Sequence, residues 1–131
     1  MEDFITEKKI YYHDTDCGQV VYYANYLKHL EEARTEYFAE KGIDLKKLSE
    51  ESTWFVVAKV EINYKYPARY QDILNILTRI DGFKNASMDF YQKITKSDTI
   101  IVEARTVLVC VGSDFKPKPI PLDLKNSLNS I

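Results

Sequence analysis

The chain has 131 residues, a net charge of −2 and 45% hydrophobic residues. That is one domain with enough apolar material for a core, and it excludes disorder, fibrous repetition and the basic excess of a nucleic-acid binder. Cys17 and Cys110 are far apart and form no C-x-x-C pair, which removes zinc-ribbon and thioredoxin-like readings and fits a reduced, intracellular setting.

The acidic start Met1-Glu2-Asp3-Phe4 does not read as a secretory signal. No apolar run approaches the ~20 residues of a membrane span, so a cytoplasmic protein is expected. Ile5 to His13 reads as a short strand, and Asp14 to Gln19 as a polar loop. From about Tyr22 the period becomes helical. Tyr23, Tyr26, Leu27, Leu30, Tyr37 and Phe38 share one face, and Lys28, Glu31, Glu32, Thr35, Glu36 and Glu40 the other. Gly42 is placed to end this helix, of about 18 residues, in a left-handed cap. Ile43 to Ser52 reads as a loop with a helical turn.

From Thr53 the period is two. Ala58 to Tyr66 predicts a long strand with one wet face, stopped by Pro67. Ile73 to Ile80 is the next strand, and Asp81-Gly82 a turn signal. Ser87 to Thr95 follows, with Met88, Phe90, Gln92 and Ile94 on one face. Lys96-Ser97-Asp98 turns the chain into Ile100 to Val111, read as a central strand buried on both faces in its second half. Lys116 to Pro121 is an extended, proline-stiffened segment, and Leu122 to Ile131 a short terminal helix. The order predicts an α+β domain over 1–131: a strand, one long helix, then four strands in meander, with sequential neighbours pairing.

The chemistry concentrates in Tyr12-His13-Asp14-Thr15-Asp16-Cys17-Gly18 and the helix entry that follows. A helix N-terminus presents unpaired N–H groups and positive potential, which can hold a carbonyl oxygen as it becomes an oxyanion. A nearby ionised carboxylate can attack or activate water. Asp and Gly before a helix are also ordinary turn and cap residues, so spacing alone leaves both readings open.

Tyr12-His-Asp-Thr-Asp-Cys-Gly-Gln-Val-Val-Tyr-Tyr-Ala-Asn-Tyr26, followed by Glu31-Glu-Ala-Arg-Thr-Glu36, resembles the signature of the 4-hydroxybenzoyl-CoA thioesterase family, in particular its YbgC-like branch. Tyr66-Pro-Ala-Arg-Tyr-Gln-Asp72, Ala104 to Val111 and the Lys-Pro-x-Pro-Ile-Pro segment extend the resemblance over nearly the whole chain. It implies a hot-dog fold, one long helix wrapped by a five-stranded antiparallel sheet. It also implies a homodimer or homotetramer with its active site formed across a protomer interface, and hydrolysis of an acyl-CoA thioester with no cofactor. Asp16 is then the catalytic carboxylate, as nucleophile or general base. The backbone N–H at Tyr23 or its neighbour polarises the carbonyl, Tyr12 lies near the acyl site, and Asp14 has a structural role in the loop. Two positions depart from the pattern. Tyr23 stands where the branch usually has His, and Gln19 where the family usually has Gly, so the loop is expected to follow a slightly different path.

Lys84 is a candidate contact for CoA phosphates, with Arg69, Lys59 and Lys65 as weaker ones. Tyr22, Tyr23, Tyr26 and Trp54 are candidates for an acyl pocket, with core packing the plainer reading for Tyr26 and Trp54. His13 is expected as a loop residue, His29 as surface and Cys17 as pocket wall or filler, and no metal site is expected. The rival readings are a thioesterase acting on acyl-carrier protein and a non-catalytic acyl-binding or scaffolding module. Comparing matched acyl-CoA and acyl-carrier substrates separates the first, and ligand binding without turnover marks the second.

Overall fold

Alternating apolar and polar residues between 73 and 111 bury one face of three strands, whereas residues 58–66, expected to have one wet face, are exposed on both faces except for a half-buried Ile62, because that strand lies at the sheet edge. The computed structural model describes residues 3–129. Strands β1 (Phe4–Lys9), β2 (Trp54–Tyr64), β3 (Ile73–Phe83), β4 (Ser87–Lys96) and β5 (Thr99–Val111) form one antiparallel sheet in the order β1-β3-β4-β5-β2. Helices α1 (Asn25–Glu40), α2 (Leu45–Glu50) and α3 (Leu122–Asn129) complete the chain. Residues 130 and 131, expected at the end of the last helix, lie outside the described residues. None of the helices is long and apolar enough to cross a membrane.

The α+β hot-dog arrangement is the one expected, and several details differ. β1 ends at Lys9, and Tyr12–Asp14 form a single tight helical turn instead of extending the strand. α1 begins at Asn25, leaving Tyr22 and Tyr23 outside it. Leu27, expected inward, is exposed. Asp81 and Gly82 belong to β3, which bulges between Ile80 and Gly82, so the turn falls at 84–86. β5 lies beside β4 and β2, and its second half buries Leu108 and Cys110 while Val107 and Val109 stay half-buried. α1 covers only one face of the sheet.

The meander expectation holds for β3, β4 and β5 and fails for β2, which pairs with β5 at the sheet edge. Residues 65–72 cross instead to the far side of the sheet, held from below by the helix entry. Ala68 N–H donates to the Tyr26 hydroxyl at 3.0 Å, and Ala68 O accepts from Val21 N–H at 2.8 Å. Asp72 O accepts from Ile10 N–H at 2.9 Å. This crossover brings distant chain segments to the start of α1.

The buried face divides into two clusters along α1. The first gathers Ile10, Val21, Tyr26, Leu30, Ala68, Leu74 and Ile101 beneath the Asp16 loop. The second gathers Tyr37, Phe38, Ile80, Met88, Phe90 and Leu108 with Leu124 and Leu128 of α3. Gly42 adopts φ +78°, the left-handed stop expected after α1. The opposite face of the sheet carries polar contacts. Arg79 and Arg105 flank the Tyr91 ring at 4.5 and 5.0 Å, and the Tyr91 hydroxyl donates to Glu103 at 2.6 Å. Burial, then the Glu103 carboxylate, pushes the Tyr91 phenol up to about 12.

Candidate active site

Asp14 anchors the loop that carries Asp16. Its side chain is buried and accepts Tyr11 N–H at 2.9 Å, while its carbonyl accepts Tyr22 N–H at 3.0 Å and Asn25 Nδ2–H at 2.9 Å. These bonds tie the loop to the helix entry from both sides. Each satisfied bond of this kind contributes about 1 kcal/mol. The structural role expected of Asp14 fits this geometry.

Above it, Thr15 pairs with Val21, and Asp16 N–H donates to Val20 O at 3.0 Å, so the loop folds back on the segment entering α1. Asp16 is exposed, and its Oδ1 accepts Gly18 N–H at 2.8 Å. A Cβ at Gly18 would meet that oxygen at 3.2 Å, so glycine keeps the carboxylate's approach clear. Gln19 then takes φ +63°, a left-handed conformation that favours glycine. Gln19 therefore bears the strain of a position that suits glycine.

At the helix entry Asn25 N–H donates to Tyr22 O at 2.8 Å and Leu27 N–H to Ala24 O at 3.2 Å. Among the described residues the N–H groups of Tyr23 and Ala24 have no acceptor. They are the orphan donors of a helix start, where the helix dipole favours negative charge. Tyr22 lies within the field of Asp16. Its phenol is raised by the hydrogen bond and charge of Tyr23, then by burial and by Asp16. The Tyr22 and Tyr23 rings lie 4.9 Å apart, and Tyr23 meets Tyr64 edge-on at 6.0 Å. Beside them a cavity of about 270 Å³ is lined by Tyr23, Tyr26, Tyr64, Lys65 and Tyr66. Burial raises the Tyr26 phenol, and the Ala68 N–H that it accepts partly offsets this.

A scan against family models matches residues 11–128 to the thioesterase-like superfamily. The chain belongs to that superfamily. Among its relatives, the acyl-CoA thioester hydrolase YbgC of Escherichia coli is 38% identical over 115 residues, 86% of each chain. The acyl-CoA thioesterase YbgC of Haemophilus influenzae is 33% identical, covering 94% of this chain and 92% of its own. A 1,4-dihydroxy-2-naphthoyl-CoA thioesterase from Synechocystis superimposes with a TM-score of 0.92 over 99% of this chain and 98% of its own at 20% identity, which shows the shared fold.

Within this thioesterase fold the remaining expected residues divide. Arg69 sits beside the loop, since it pairs with Val20 and its N–H donates to Asp72 Oδ2 at 2.8 Å. Tyr12 is 75% exposed, meeting Tyr70 edge-on at 5.9 Å. Lys65 borders the tyrosine cavity and pairs with Glu103 at 3.5 Å. Lys59 pairs with Glu61 at 3.0 Å on the exposed strand edge. Lys84 lies beyond the other end of β3, roughly 35 Å along the strand, and does not reach Asp16 within one protomer. Trp54 stacks on Phe115 near the opposite end of α1, away from the loop. Tyr26 is core, as its burial shows. Cys17 is exposed.

His29, expected at the surface, is 2% exposed and packs beneath the loop, its Nε2 3.5 Å from Asp14 Oδ1 and its Nδ1 3.6 Å from Glu32. Burial pushes its pKa down, with Lys8 adding to this and the Asp14 and Glu32 carboxylates opposing. Arg34 is also buried. The helical period held the signal for both. His29 follows Tyr26 by three, and Arg34 lies four from both Leu30 and Phe38, which puts each inside the apolar stripe.

Proposed function

We propose that this chain hydrolyses acyl-CoA thioesters, with Asp16 as the reacting carboxylate and the Tyr23 main-chain N–H as the oxyanion donor. One observation carries the reading: an exposed carboxylate on a pinned loop is followed by a helix entry at which the N–H groups of Tyr23 and Ala24, just ahead of α1, have no acceptor among the described residues. Relatives named for acyl-CoA thioester hydrolysis at 33% and 38% identity support it.

Two routes use these atoms. In one, an Asp16 oxygen attacks the carbonyl carbon, the C–S bond breaks, CoA thiolate leaves and takes a proton from water, and a second water cleaves the mixed anhydride. In the other, Asp16 takes a proton from water as that water attacks, and the proton passes to the departing sulfur. In both, charge gathers on the carbonyl oxygen, where a preorganised N–H lowers the barrier by about 3–4 kcal/mol.

Tyr22 and the tyrosine cavity receive the acyl end, and Tyr12 flanks the loop. Arg69, whose backbone pairs with the loop, is the proposed contact for CoA phosphates, and Lys84 serves that role only when supplied by a second copy. The unpaired edge of β2 is the surface through which two copies join. Free-thiol release from short, long and aromatic acyl-CoAs tests the reading. Turnover of at least one is expected. Saturable binding with no turnover across the panel would make the chain an acyl-binding module instead.

A further inference from the structure

Arg34 is 8% exposed in the seam between α1 and the sheet. Its guanidinium donates to the neutral Gln92 Oε1 at 3.1 Å, and among the described residues no carboxylate forms an ion pair with it. The Gln92 amide is itself committed, donating to Leu30 O at 2.9 Å and Thr78 Oγ1 at 3.1 Å. A guanidinium stripped of water and facing one neutral oxygen is a costly arrangement, and a carboxylate relieves it.

Three residues earlier on α1, Glu31 is exposed and accepts only from Thr35 Oγ1, at 3.3 Å, with no cation in ion-pair reach among the described residues. Its charge favours the charged form of Arg34 without forming a pair. Both residues border a cavity of about 190 Å³ with Thr35, Trp54, Val57 and Leu108, between α1 and β2. An unpaired cation and an unpaired anion on one wall do not fit an anionic ligand, which Glu31 repels. They fit an occupant carrying the same two charges in reverse order.

The unpaired edge of β2 supplies the geometry. Val56, Val57, Val60 and Tyr64 are exposed along it, a long apolar edge that favours association. α1 runs beside this strand: Tyr26 packs on Tyr64 with ring centroids 5.7 Å apart, and Phe38 stacks on Phe55, also at 5.7 Å. The middle of β2 is therefore level with Glu31 and Arg34. A two-fold axis through that middle, joining β2 to its copy, sets the two α1 helices side by side in opposite directions. Whatever contact Arg34 makes across such an axis is made twice.

We infer that Arg34 and Glu31 form reciprocal ion pairs between two copies of this chain, closing the cavity from both sides. This rests on the β2 association proposed above. It specifies which charges select the partner, since a planar guanidinium can grip a carboxylate through two hydrogen bonds.

Sedimentation equilibrium of the wild type, Glu31→Arg, and the double exchange Glu31→Arg with Arg34→Glu tests it. Glu31 is exposed, so its replacement leaves the core intact, and circular dichroism checks the fold of each variant. The wild type is expected to dimerise at micromolar concentration. Glu31→Arg opposes two guanidinium pairs and should weaken association by about 100-fold or more, with the double exchange recovering most of the loss. A Glu31→Arg chain that dimerises as tightly as wild type overturns the ion pair, and so does a folded double exchange no tighter than the single. Glu31→Arg decides alone should the buried Arg34→Glu fail to fold. A monomeric wild type overturns both this inference and the β2 association, while thiol release judges the hydrolysis reading separately.

Discussion

Asp14 and Asp16 are two residues apart and differ in what surrounds them. Asp14 is buried, its carboxylate accepting Tyr11 N–H and its carbonyl accepting Tyr22 N–H and the Asn25 amide, so it holds the shape of the loop. Asp16 is open to solvent with one local bond, so it remains available to a substrate. Beneath them lies the buried His29, 3.5 Å from Asp14 Oδ1. Its pKa is lowered from 6.5 in the fold, chiefly by burial. Between that lowered value and 6.5 the unfolded chain binds more protons, so stability rises with pH across the window and is lost as pH falls through it. Urea unfolding from about pH 7 down to pH 5 should show the wild type losing stability, and His29→Gln losing less. Superimposable profiles, or a wild type that gains stability on acidification, would show that His29 does not titrate this way. Asp16 and its neighbours could be proposed from the sequence because their signature is local. The roles of His29 and Arg34 were not, because each depends on residues that the fold brings in: Asp14 from the preceding loop, and Gln92 from the middle of the sheet.

At the scale of elements, α1 organises the molecule. Its entry displays the free N–H groups, its middle binds the sheet, and its end stops at a left-handed Gly42. Leu30 is fully buried beneath it, and its carbonyl accepts from Gln92. Leu30→Ala should cost about 2–5 kcal/mol in urea unfolding, through lost transfer energy and the cavity left behind. A loss below about 1 kcal/mol would show that the helix–sheet seam can collapse around the gap. The alternation of Met88, Phe90, Gln92 and Ile94 and the glycine stop could be read directly, since both follow from local periodicity and backbone sterics. The failure of β2 to pair with β3 could not. That choice is decided by Ala68 meeting Tyr26 and Val21, contacts between segments more than forty residues apart. Asp81-Gly82 misled for a related reason, because a bulge uses the residues of a turn without reversing the chain.

At the scale of the whole molecule, one face of the sheet is closed by α1 and α3, and β2 keeps an open edge beside the site. The tyrosine cavity borders Tyr64 at the end of that edge strand, which fits the proposed active site completed by a second copy. The account stands on Asp16, and comparing kcat for Asp16→Asn with wild type, on the best substrate of the acyl-CoA panel, tests it most directly. With an unchanged fold by circular dichroism, kcat should fall about 10²–10⁴-fold, as expected for removing an essential base or nucleophile. An Asp16→Asn chain that turns over as fast as wild type would contradict the assignment of the reacting carboxylate.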